Sequence, residues 1–130
     1  MAWSNFVLSK GYNAAAALTK FRAVKYSGNV EEVTPVTAIT DYPAGWAQFA
    51  VGASEITQGK GATIMVLGIT EAEASTAITV GAMCTLETDG RVSVLVGASG
   101  KRIVGRCVGS PAANAGDRIS MLILHGLGVA

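Results

Sequence analysis

The side chains in this 130-residue chain that could act on a substrate or hold a metal are one histidine, two cysteines and nine carboxylates. An enzyme needs a nucleophile with a base, paired carboxylates or a set of metal ligands. His125 is the sole histidine, so one chain cannot supply a multi-histidine metal site, and its place at the end of an apolar run suits a structural imidazole. Glu31 and Glu32 are neighbours, and neighbours on a strand face opposite ways, so they form no ready acid/base pair. Glu71 and Glu73 could face together, but a solvated loop or one helical turn over 71–75 explains them. Cys84 and Cys107 are too few for a disulfide framework and lack metal-knuckle spacing. Each lies in an apolar strand pattern, as expected of a reduced core thiol.

The remaining candidates are equally thin. Gly97-Ala98-Ser99-Gly100-Lys101 falls short of a phosphate loop, because Arg102 and then a strand follow where Ser or Thr and a helix are required. Lys101, Arg102 and Arg106 read as a solvated edge that discourages aggregation. Trp46, beside Gly45, could stack on a sugar but fits a core position better. The expectation is a non-enzyme with no catalytic, cofactor or metal site.

The elements that would position these residues are strands. Half of the chain is apolar and 15% is charged, a balance that folds; 6% is aromatic and 16 residues are glycine, which suits strands joined by tight turns. About eight short segments recur between turn signals: 21–26, 30–39, 46–51, 62–69, 79–87, 91–97, 103–108 and 118–124. Asp89-Gly90 between two apolar runs marks a hairpin, since a two-residue primed turn needs positive φ. The fold class expected is all-β, a small sandwich or barrel with an extended N-terminal arm. Residues 1–20 form the arm and 21–130 the β-rich domain. A net charge of +1 with scattered Lys and Arg argues against nucleic acid. The longest apolar run, 62–69, is too short for a transmembrane helix, and no cleaved secretory signal is expected.

Several strands are apolar on both faces. Ile64 and Val66 alternate with Met65 and Leu67, and Leu122 and Leu124 with Met121 and Ile123. Subunit contacts would cover such an excess; central strands of a closed or two-layer core would also explain it. In the first twenty residues Ser, Asn, Lys and Gly break any alternation. The apolar and aromatic residues there, Trp3, Phe6, Leu8 and Tyr12, are the candidate partner-binding anchors; an ordinary first strand is the other reading.

From Ile78 onward the succession resembles the capsid decoration, or head cement, proteins of tailed bacteriophages. The residues that carry it are Ile78-Thr79-Val80-Gly81-Ala82-Met83-Cys84-Thr85, then Asp89-Gly90-Arg91-Val92, Ile103-Val104-Gly105-Arg106-Cys107-Val108, and Ala112-Ala113-Asn114-Ala115-Gly116-Asp117-Arg118-Ile119-Ser120-Met121-Leu122-Ile123. The resemblance implies a structural virion protein on the outer capsid surface, commonly a homotrimer, whose partners are the major capsid protein and its own copies. Alternatives are another phage β-module, from a tail tube or fibre, or a small carbohydrate-binding module using Trp46.

Overall fold

The structure is a computed structural model that describes residues 2–130, the side chain of Phe6 excepted. The expected all-β fold is the one observed. Nine strands form one continuous sheet: β1 (Asn5–Ala14), β2 (Ala23–Tyr26), β3 (Glu32–Pro35), β4 (Gly45–Ala47), β5 (Ala62–Glu73), β6 (Met83–Leu86), β7 (Val92–Val94), β8 (Ile103–Cys107) and β9 (Arg118–Ile123). One short helix, α1 (Ala53–Thr57), precedes β5. Each of the eight expected segments overlaps a strand, although β4 begins before its segment and β5 runs past its own. The ninth, β1, lies in the segment expected as an arm: residues 5–12 zip antiparallel onto β5, and Asn13 and Ala14 pair parallel with β3. One edge of 5–12, and Asn13 and Ala14 on the other side, are thus engaged within the chain's own sheet. Glu71 to Glu73, expected in a loop or helical turn, is the end of β5, held by antiparallel pairing with β9.

The strand order β1-β3-β2-β4-β5-β9-β8-β6-β7 bends back on itself twice. β1 also pairs with β5, so β1, β3, β2, β4 and β5 close a five-stranded ring. A parallel bridge from Ala74, just past β5, to Val92 closes a second ring from β5, β9, β8, β6 and β7. Two small barrels therefore share β5, whose first half belongs to one and whose second half belongs to the other. This sharing explains why Ile64 and Met65 are both fully buried: Ile64 fills the first barrel, while Met65 packs into the cluster of the second.

The two barrels are copies of one plan. Leu18 bridges Val51 as Ile78 bridges Ala112. The Phe21 amide donates to Ala47 O and the Gly81 amide to Cys107 O, each at 2.7 Å. Phe21 and Gly81 both hold positive φ, at 62° and 91°; a phenylalanine occupies the first because its ring is buried there. Gly45 and Gly105 mark equivalent close backbone approaches, since a Cβ would lie 2.1 Å from Met65 O in one and 2.6 Å from Leu122 O in the other. Core volumes compensate across paired strands. Tyr12 faces Ala62 in the first barrel, whereas Ala72 faces Ile119 in the second. A large and a small residue fill each layer, with the order exchanged.

Candidate interaction surface

The groups able to do chemistry are dispersed and already engaged. His125 lies at the surface with Nε2 2.6 Å from Val66 O, a contact in which the ring N–H donates to the carbonyl and pins the chain after β9. Glu31 pairs with Lys10, and Glu32 accepts from the Ser27 hydroxyl and the Asn29 amide, which holds its carboxyl below the usual range. Glu73 accepts from Arg22 at 3.1 Å at the junction of the barrels. Asp41 ties down its turn by accepting from the Thr37 and Ala38 amides and Lys25 Nζ. Burial pushes its carboxyl up, but those donors outweigh it and the net displacement is downward. Cys84 and Cys107 are buried free thiols in the second barrel. Burial, with the neighbouring Cys107, pushes Cys84 up to about 12, and burial raises Cys107 as well, so neither is a ready nucleophile.

The basic trio does not form a patch. Lys101 pairs with Glu87. The Arg102 guanidinium stacks 3.6 Å from the centre of the Tyr42 ring and donates to Thr40 O and Leu127 O. Arg106 Nε donates to Gly81 O. Trp46 is 1% exposed in the core between the barrels, so a sugar ring has no access to it. Among the described residues no group of three or more His, Cys, Asp or Glu is placed to hold a metal ion.

What the surface does present is apolar. Of the four expected anchors, Trp3 and Leu8 are exposed. Tyr12 is not: its ring is buried in the first barrel, edge-on to Tyr26 at 5.8 Å, and its hydroxyl meets that of Tyr26 at 3.2 Å. That hydrogen bond, with burial, pushes the Tyr12 phenol up to about 12. The alternation broken by the bulges of β1 concealed that Tyr12 points inward. The side chain of Phe6 lies outside the described residues. The Trp3 amide donates to Ser120 Oγ at 2.7 Å, and its indole nitrogen lies over Gly109, where a Cβ would come within 2.8 Å. The Glu71 amide donates to Ser4 Oγ, so this segment is fastened across β5 and β9 while the Trp3 ring stays partly open.

An exposed apolar row runs across three neighbouring strands. Leu8 of β1 is in register with Leu67 of β5, and Ile69 of β5 with Leu122 of β9. Leu8, Leu67 and Leu122 are all exposed, and Val7, at the bulge, is 73% exposed. A second group lies at one end of the first barrel: Val30, 90% exposed, with Tyr26 and Tyr42. Sequence reasoning missed this group. The available signal was Val30, an apolar residue set between Asn29 and Glu31 in a turn.

No protein-family model matches the sequence, and no curated protein matches it. The fold has solved relatives. One is the N base of the head fiber gp8.5 of bacteriophage phi29, with a TM-score of 0.66 and 18% identity over 90% of this chain and 93% of that one. At that identity the two share a fold over nearly their whole lengths.

Proposed function

We propose that this chain is a structural component of a tailed-phage head, bound to the outer surface of the shell as a decoration protein and working as a homotrimer. The observation that carries the reading is the likeness of fold to a phage head-fiber base across 90% of the chain. The succession from Ile78 onward, which resembles head decoration proteins, is independent of that likeness of fold and points to the same part of a virion. The exposed apolar residues Leu8, Leu67 and Leu122 suit a protein that acts through contact. The major capsid protein is the partner on the shell side.

The mechanism is mass action on a repeated lattice. A trimer touching several capsid subunits binds them with high effective concentration, so modest contacts sum to firm retention. Because it binds the assembled lattice and not free subunits, its binding free energy stabilises the assembled state. The test compares purified heads with and without the protein. Electron microscopy should show added density outside the shell at three-fold positions, and heads lacking the protein should lose DNA at lower temperature. No density on the shell, or density confined to the tail, would reject the head-surface assignment in favour of a tail-tube or fibre module; equal thermal survival of the two kinds of head would reject the stabilising role.

A further inference from the structure

One edge of β1 is covered by β5 and the other is open over most of its length. On β5, Thr63 O accepts from the Gln48 amide, on the side of the strand away from β1. Backbone groups of successive residues in a strand point to opposite edges, so Ala62 and Ile64 turn theirs toward β1, where Tyr12 and Lys10 are in register with them. The amides and carbonyls of Ser9 and Gly11 therefore face away from β5. The far end of β1 gives the same phase, since the Asn13 amide, two residues on from Gly11, donates to Glu31 O on the side of β3. There β3 pairs with Asn13 and Ala14 and reaches no further along β1. From the bulge at Val7 to Gly11 this edge points into solvent, and Ser9 and Gly11 are exposed.

A row of unpaired amides and carbonyls is a template for another strand, and proteins guard such edges with charge, proline or a covering element. No proline lies in 5–11, and the one charge there, Lys10, is drawn aside by Glu31 at 3.3 Å. The face beside the edge is apolar. Leu8 is in register with Leu67, and further along β5 Ile69 is in register with Leu122. A strand laid on β1 would carry this row one place further, past Leu8.

We propose that the open edge of β1 takes up an extended segment of the shell protein as an added strand, with an apolar side chain of that segment seated beside Leu8. The outward donors and acceptors of Ser9 and Gly11 specify an extended backbone, because a helix spends its own groups internally. A second β1 is the wrong occupant. Antiparallel pairing of β1 with itself is a two-fold contact, foreign to a three-fold assembly, and matching Ser9 with Gly11 sets Lys10 against Lys10. The inference names the contact by which the chain holds the shell and rests on the head-surface reading above.

The test measures binding of the full-length chain and two variants to purified heads that lack it. Ser9→Pro removes an amide that faces away from β5, and an edge strand accepts proline at such a position, so circular dichroism should show the parent fold. It should bind heads about tenfold more weakly or worse, while Ser9→Ala, which keeps the amide, binds as the parent does. Hydrogen exchange supplies a second readout that needs no variant. In the free parent, Lys10 and Tyr12 amides should be protected and those of Ser9 and Gly11 open; on heads, Ser9 and Gly11 should become protected. Parent-like binding by Ser9→Pro, or no gain of protection on heads, overturns the added strand and leaves the head-surface reading standing. A change in the size of the free protein on Ser9→Pro substitution makes a second copy the occupant and overturns it too. A parent that does not bind heads overturns both.

Discussion

Trp46 sits where the two barrels meet, with a ring that is fully buried and an indole N–H that has no partner. Among the described residues that Nε1 is the one buried side-chain polar atom left without a hydrogen bond. The ring therefore stabilises by filling space, while its polar atom works against burial. Trp46→Phe keeps most of the packing and removes the unpaired donor, so denaturant unfolding should place it within about 1 kcal/mol of the parent. Trp46→Ala empties the junction and should cost about 3–5 kcal/mol. A loss as large for phenylalanine as for alanine would show that the N–H is in fact paired.

At the scale of the elements, the attachment of β1 to β5 depends on one residue that can take a backbone geometry others cannot. Gly68 holds φ at 114°, and a Cβ there would meet Asn5 O at 2.6 Å and the Val7 amide nitrogen at 2.9 Å. It sits where the register slips between Phe6 and Leu8, so the bulge and the glycine fit each other. Gly68→Ala should cost roughly 2 kcal/mol or more by the combined strain of positive φ and backbone collision. The check is hydrogen exchange: amides in residues 2–8 should lose protection while those of β6 to β8 keep theirs. The same bulge is why the sequence offered β1 only as the second of two readings, since the slipped register breaks the two-residue alternation on which a strand is recognised. The hairpin of β6 and β7 was legible, with Cys84 to Leu86 in register with Val92 to Val94; its loop, however, is Thr88 to Gly90, closed by the Glu87 amide on Arg91 O at 2.9 Å with positive φ at Gly90, and not the two-residue turn that Asp89-Gly90 implied. Trp3 and Leu8 are exposed, whereas the inward direction of Tyr12 is set by the ring closure of β1 with β3. The tandem plan was hidden for a related reason. Tyr12 answers to Ala72 and Val24 to Cys84, so the two cores match in position and differ in residue type.

On the scale of the whole molecule, sharing β5 makes the two barrels one folding unit. Neither ring closes without that strand, and Met65 on it, with Trp46 beside it in β4, belongs to the first barrel by pairing and to the second by packing. A lesion deep in the second barrel should therefore weaken the first. Ile119 is fully buried opposite Ala72, in the same core cluster as Trp46, and Ile119→Ala should cost about 2–5 kcal/mol. For a chain of this size that corresponds to a fall in Tm of roughly 3–5 °C per kcal/mol. The melting curve followed by tryptophan fluorescence should move by the same amount as the curve followed by far-ultraviolet circular dichroism, in a single step. Two resolved steps would mean that the barrels fold separately and that β5 does not couple them. The distinction bears on the proposed head-surface role, because a load applied to one barrel by a shell contact reaches the other only if the pair yields as a unit.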